Sequence, residues 1–166
     1  MPHPREQLRL NVGFLINQAV GTSRDFEFDV PALRIDDLDL NDLSGSARLT
    51  RTAQGILVQA KMNATLPAEC VRCLIDFQQP LSVDFTELYA FTRDSITDSN
   101  LLLPDDAHID LGPLVREYML LEFPIRPLCR NDCKGLCPIC GENLNEVSDH
   151  HHAGDLDPHQ DHLSSS

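Results

Sequence analysis

Hydrophobic and polar residues alternate over long stretches of this chain, and an alternation of period two is what a strand buried on one face requires. Over residues 25–30, Phe26, Phe28 and Val30 fall on one side, and Glu27 and Asp29 on the other. Pro31 then ends that strand or marks it as an edge, because proline has no N–H to give a ladder. Residues 46–51 and 56–66 predict a hairpin. Ile56, Val58, Ala60, Met62 and Ala64 share one face, and Gln59, Lys61, Asn63 and Thr65 the other. Thr52-Ala53-Gln54-Gly55 supplies the turn, with Gly55 able to take positive φ. A further strand covers 74–77 and resumes over 81–91, so Cys70 and Cys73 fall at a tip between two strands. Weaker patterns predict a first strand over 7–12 and a helical turn over 14–19, ended near Gly21.

The period changes later in the chain. Residues 92–106 are polar, acidic and irregular, the pattern of a loop. Asp110 can cap a helix and Pro113 suits its first turn. Leu111, Leu114, Val115, Tyr118 and Leu121 follow at helical spacing until Pro124 and Pro127 stop the helix. Beyond Leu128 the core pattern gives way to cysteines and a tail rich in His and Asp. The expected fold is therefore α+β: a mostly antiparallel β-sheet with one amphipathic helix and a C-terminal zinc-knuckle appendage. A core domain over 1–128 includes the first CxxC knuckle, and 129–166 forms a cysteine-rich metal-binding segment with an acidic, His-rich tail.

Charge narrows the partners. The formal net charge is −13, which opposes bulk attraction to a phosphate backbone and favours basic partners. Eleven of the thirteen basic residues are Arg, a side chain suited to planar, specific contacts. No apolar run is long enough for a membrane span, and 1–14 lacks the pattern of a secretion signal. The expected location is the cytoplasm, where six cysteines read as metal ligands or redox groups before disulfides.

The cysteines carry the chemistry. Cys70-Val-Arg-Cys73 is one pair; Cys129, Cys133, Cys137 and Cys140 follow within twelve residues. Two residues between cysteines let both sulfurs reach one tetrahedral ion, and Gly141 after Cys140 permits a sharp exit. Four cysteines this dense are poor core packing. A redox CxxC usually opens a helix, whereas Cys73 leads into a predicted strand. The expected cofactor is structural Zn²⁺. Spacing leaves three groupings open: Cys70 and Cys73 with Cys137 and Cys140, Cys70 and Cys73 with Cys129 and Cys133, or the four late cysteines alone. The second leaves Cys137 and Cys140 to find partners among His150, His151 and His152. Either of the first two is a closed site with no open position for water, and so structural, not catalytic; in the third the connections are tight for a closed tetrahedron.

Cys70-Val-Arg-Cys73-Leu74, the helix from Ile109-Asp110-Leu111 through Glu117 to Pro124, and the run from Pro127-Leu128-Cys129 through Cys133-Lys-Gly-Leu-Cys137-Pro-Ile-Cys140-Gly-Glu-Asn-Leu-Asn145 resemble the YceD family of bacterial and plastid proteins. The resemblance covers residues 8–163. It implies a non-enzymatic role in large ribosomal subunit biogenesis, supporting accumulation of large-subunit rRNA, with precursor rRNA or a basic ribosomal protein as partner. It also favours the grouping of Cys70, Cys73, Cys129 and Cys133. Many members carry a C-x-C after the Asn-Leu-Asn segment, where this chain has Val147 to His152; histidines replace those ligands or the second site is degenerate. Asp157-Pro158-His159 stands where the family often has Asp-Pro-Arg, which weakens any RNA contact there.

Arg72, between two presumed ligands, and Arg126, Arg130 and Lys134, flanking the second set, are candidate contacts to RNA or a partner. The plainer alternative is that they are solvated knuckle residues that offset thiolate charge. The face carrying Glu27, Asp29, Asp76 and Asp84 is a candidate cradle for a basic ribosomal protein. Asp98, Asp105 and Asp106 lack EF-hand spacing, and neither a phosphate loop nor a nucleophile–base pair is present, so no small-molecule substrate is expected. Two other functional classes fit the cysteines: a zinc-ribbon nucleic-acid-binding regulator, and a thiol redox or metal-responsive switch.

Overall fold

The computed structural model describes residues 4–147. Four long strands dominate it: β2 (Ser23–Ile35), β3 (Leu38–Arg51), β4 (Gly55–Glu69) and β5 (Asp76–Ala90). They pair antiparallel in the order β2-β3-β4-β5, a meander in which each strand lies beside its neighbour in sequence. Ahead of them come β1 (Arg9–Asn11) and α1 (Gly13–Ile16). Behind them, β6 (His108–Asp110) pairs with β1, and α2 spans Gly112–Glu122. The mostly antiparallel sheet with one main helix is the α+β arrangement expected from the pattern.

Alternation fixes which face is buried. Ile56, Val58, Ala60, Met62, Ala64 and Leu66 of β4 are all buried, while Gln59, Lys61 and Asn63 are exposed. Leu8, Leu10, Ile109, Leu111, Leu114, Val115 and Met119 close over that face and form one core with the strands. Phe85 on β5 stacks on Tyr118 of α2, with ring centroids 4.6 Å apart.

Several details depart from the sequence expectation. β2 continues through Pro31 to Ile35, and β5 runs unbroken through Pro80. Both strands are sheet edges, where a missing N–H leaves no neighbour unpaired. The pattern assigns no element to 32–45, yet β3 begins at Leu38. Its buried Leu40 and Leu43 are three apart because the register slips between Asn41 and Ser44, a bulge that breaks the period of two. The strand expected over 74–77 starts only at Asp76, since Leu74 sits in a turn at φ 63. Gly55 does not supply a positive φ; it is the first residue of β4, and a Cβ there would lie 2.1 Å from the Tyr89 carbonyl oxygen. On α2 the expected Leu121 is 72% exposed, and Met119 takes the buried place. The buried stripe runs through Leu111, Leu114, Val115 and Met119, and α2 ends one residue after Leu121, at its exposed edge.

Asp110 does serve the helix start, its carboxylate accepting the Gly112 N–H at 2.9 Å. At the other side of the core, Arg116 of α2 donates twice to Asp37 in the β2–β3 turn, at 3.1 and 2.9 Å. The guanidinium holds the Asp37 carboxyl below the usual aspartate range.

Past Asn41 and Thr65 the two halves of the sheet part. Thr65 is the last β4 residue with a β3 partner, whereas β4–β5 pairing continues to Glu69 and Asp76. The end of the β4–β5 hairpin therefore projects as a two-stranded arm, and the first two cysteines lie at its tip.

Candidate metal centre

The arm closes through a tight turn. Leu74 N–H donates to the Cys70 carbonyl and Cys70 N–H to the Ile75 carbonyl, each at 2.9 Å. The left-handed Leu74 lets the chain reverse directly after Cys73. The segment after α2 then docks on this turn through backbone contacts. Val71 N–H donates to the Pro127 carbonyl at 3.0 Å, and Leu136 N–H to the Arg72 carbonyl at 3.2 Å. Gly135, at φ 81, allows the second approach; a Cβ there would stand 3.2 Å from the Arg72 carbonyl oxygen.

This docking collects four sulfurs. The Sγ atoms of Cys70, Cys73, Cys129 and Cys133 all lie within 4.8 Å of one another. Cys70 and Cys133 are 3.7 Å apart, and Cys73 and Cys129 3.6 Å. A disulfide needs about 2.05 Å. Four sulfurs at about 2.3 Å from one tetrahedral ion stand roughly 3.8 Å apart. The donor set thus suits a thiophilic cation such as zinc. Cys70, Cys73 and Cys133 are buried and Cys129 half-buried, with Phe77, Leu128 and Leu136 packed around them. This small cluster is separate from the main core.

The thiols are not equivalent. Burial pushes Cys70 up, but N–H groups of Cys73, Cys129 and Arg72 outweigh it and bring the thiol down to about 6. Cys133 is lowered chiefly by the Asn145 side-chain amide, against burial. Cys129 is raised, first by burial and then by its sulfur neighbours. Cys73 is raised as well: the Ile75 N–H favours its thiolate, but burial and the Cys70 sulfur outweigh it.

Cys137 and Cys140 do not join this cluster. They form a knuckle of their own: Gly141 N–H donates to the Cys137 carbonyl and Cys137 N–H to the Glu142 carbonyl, each at 2.8 Å. Leu136 and Asn143 bridge at its base. Cys137 is buried and Cys140 exposed. The histidines proposed as partners, His150 to His152, and the Asp157-Pro158-His159 segment lie outside the described residues. Of the three groupings, the structure brings together Cys70, Cys73, Cys129 and Cys133, and neither of the other two sets.

Asn145, which the cysteine spacing gives no reason to single out, ties the two knuckles together. Its Nδ2 donates to Cys133 Sγ at 3.3 Å, and its Oδ1 accepts the Lys134 N–H at 2.8 Å. Asn143 Oδ1 in turn accepts the Asn145 N–H and Nδ2 at 2.9 Å each. The available signal was the Asn-Leu-Asn spelling, which sets two amides two residues apart after a knuckle.

The four basic candidates are all exposed beside this centre. Arg72 donates to the Cys133 carbonyl at 2.8 Å, and Arg130 sits 3.3 Å from Asp132. On the outer face of the sheet, Glu27 and Asp84 share a row with Lys61, and Arg48 pairs with Asp25 at 2.8 Å. That face is mixed in sign, not uniformly acidic.

Fold and site together define a small α+β protein whose C-terminal segment meets a sheet arm at a four-thiol centre able to hold a metal ion. The chain belongs to the YceD family, described as large ribosomal RNA subunit accumulation protein YceD, whose pattern matches residues 58–165. An uncharacterised protein of Mycobacterium tuberculosis is 36% identical over 127 residues, 74% of this chain and 57% of its own length. An uncharacterised Bacillus subtilis protein, YlbN, is 32% identical over 91 residues, 54% of this chain and 53% of its own. The chain thus spans about half the length of these curated relatives. A chloroplastic maize protein named large ribosomal RNA subunit accumulation protein YCED homolog 1 is 42% identical over 43 residues, 26% of this chain and 15% of its own. No solved structure matches. No helix among the described residues is long and apolar enough to cross a membrane.

Proposed function

We propose that the chain is a non-enzymatic factor of large ribosomal subunit biogenesis, acting in the cytoplasm, and that one structural zinc ion clamps its C-terminal segment to the β4–β5 arm. Cys70, Cys73, Cys129 and Cys133 hold the ion. Zinc with four thiolates has no vacant position for water or substrate, so its contribution is to folding, not to chemistry. The observation that carries the metal reading is the convergence of four sulfurs from two distant segments within 4.8 Å. Membership of a family described by accumulation of large ribosomal RNA carries the ribosomal reading. The partner is precursor rRNA, a basic ribosomal protein, or both. Arg72, Arg126, Arg130 and Lys134 are the side chains beside the centre that can reach phosphates. The segment 129–166 acts as a clamped appendage on the 1–128 core, with Cys137 and Cys140 as a second metal-binding knuckle.

The test is a deletion strain complemented with the wild type or with Cys70→Ser/Cys73→Ser. Purified wild type should contain one or two zinc ions per chain, sediment with large-subunit precursors and restore large-subunit rRNA. The double variant should lose at least one zinc and restore less. A chain absent from all precursor fractions, in a strain with normal rRNA, would refute the ribosomal role. A metal-free wild type would refute the clamp.

A further inference from the structure

A cavity of about 580 Å³ opens between β5, the loop 98–106, β6 and the first turns of α2; none of its lining residues belongs to the cysteine-bearing segments. Its walls carry the carboxylates Glu87, Asp98, Asp110 and Glu117. Of these, Asp110 accepts the Gly112 N–H; a fifth carboxylate, Asp106, is paired with Arg9 at 2.8 Å, and its backbone carbonyl lies 2.8 Å from the His108 ring. Arg9 and His108 are the only basic side chains on the wall, so carboxylates outnumber them. Leu101, Pro104 and Leu114 add apolar surface.

Two buried polar groups turn this acidic wall into a built site. Glu87 is the one charged side chain that is buried among the described residues, at 9% exposure, and its Oε1 accepts the Tyr118 O–H. A carboxylate withdrawn from water is costly unless a cation or several donors face it. Tyr89, two residues on, is 6% exposed, and its hydroxyl has no hydrogen-bond partner among the described residues. No side-chain nitrogen or oxygen there is both sealed from solvent and unpaired, so the Tyr89 oxygen opens into the cavity. Burial, then Asp110 and Glu87, push its phenol up and keep it neutral.

We infer that this cavity receives an arginine side chain from a basic protein segment. The guanidinium sits among Glu87, Asp98 and Glu117 with the Tyr89 oxygen as a further acceptor, and its methylenes lie along Leu101, Pro104 and Leu114. A guanidinium has five donors and no acceptor, which matches a wall of acceptors, and its planar fork suits carboxylates better than an ammonium does. A divalent cation requires a compact oxygen shell, whereas leucine and proline walls suit an organic cation. The outer face of the sheet competes poorly, because Arg48 and Lys61 stand among its acids. The net charge of −13 draws basic chains toward the molecule. The inference deepens the basic-partner reading of the proposed function, at a site that reading does not name.

The test titrates the ¹⁵N-labelled full chain with the blocked peptide acetyl-Gly-Arg-Gly-Arg-Gly-amide, its citrulline counterpart, and spermidine. Arginine-peptide shifts should concentrate on residues 87–89, 98–106 and 112–117, and the citrulline peptide should leave them unmoved. Asp98→Asn/Glu117→Gln changes only exposed residues and should weaken arginine binding about tenfold. Tyr89→Phe should weaken it less while the spectrum stays dispersed. Shifts centred on Asp25, Glu27 and Asp84, or equal binding of citrulline, overturn the assignment. So does spermidine binding tighter than the peptide, which would give the cavity to a free polyamine. The readout needs no ribosome, so a negative result here leaves the large-subunit role standing, and a negative gradient leaves this site standing.

Discussion

The sheet and the segment 127–147 differ sharply in how much apolar surface they bury. In β2 to β5, alternating positions along much of each strand bury mostly apolar side chains in one continuous core that reaches β1, β6 and α2. In 127–147 the buried side chains are few: Cys133 and Cys137, with Leu128 and Leu136 half-buried beside them. Between the two regions Ile125 is 98% exposed. A stretch with so little apolar area cannot offset the entropy of ordering its backbone. The four thiols stand where the hydrophobic pattern stops, and under the proposed zinc clamp a cross-link between distant segments supplies what burial there does not.

The strongest way to break this comparison is to take the proposed cross-link away. Chelator, or Cys70→Ser/Cys73→Ser, should remove stabilisation on the order of 10 kcal/mol from the segment. Amides of 127–147 should lose hydrogen-exchange protection while those of β2 to β5 keep it. Equal protection in both regions with no metal bound would mean the segment holds itself.

The converse perturbation acts on the sheet. Leu49→Ala should cost about 3 kcal/mol, because Leu49 is fully buried on a central strand. Urea unfolding reports it, and the zinc content of the folded fraction should not change. A parallel loss of metal would show that the two regions unfold as one.

A smaller effect is expected where the knuckles meet. Asn145→Ala removes the amide that donates to Cys133 Sγ, and should lower metal affinity about tenfold with the core intact. Competition with a chromophoric chelator measures it. Unchanged affinity would make Asn145 a backbone tie only.

The smallest is the Asp37–Arg116 contact across the core. Arg116 holds Asp37 below its usual value, so the contact stabilises the fold above about pH 3.9 and is lost as pH falls through the lower folded value. Carboxyl NMR should place the native midpoint below that of an ordinary aspartate, and Arg116→Ala should raise it. Both regions should otherwise keep their spectra.

Much of this was legible in the residues. The alternation at 56–66 marked the face of β4 that is buried, and Asp110 with Pro113 marked the start of α2. What escaped had specific causes. The bulge at Asn41–Ser44 put Leu40 and Leu43 three apart, which hides a strand from any period-two reading. Prolines 31 and 80 looked like breaks because a sequence does not say which strands are edges. Gly55 looked like a turn glycine, yet its constraint is the Tyr89 carbonyl 2.1 Å from where a Cβ would sit.

The spellings of Cys70/Cys73 and Cys137/Cys140 alone determined that each of those two pairs would share a turn, since two intervening residues place two Sγ atoms on one side of it. Which pairs would meet was not in the spacing. Tertiary structure decided it, by extending β4 and β5 beyond β3 and by bringing Pro127, past the end of α2, against Val71. The same holds for Glu87 and Tyr89: as letters they are two positions in an alternating strand, and only the docking of α2 and the 98–106 loop buries them together. Local chemistry is set by neighbours in sequence, but the partner of a thiol or a carboxylate is set by how separately formed elements pack.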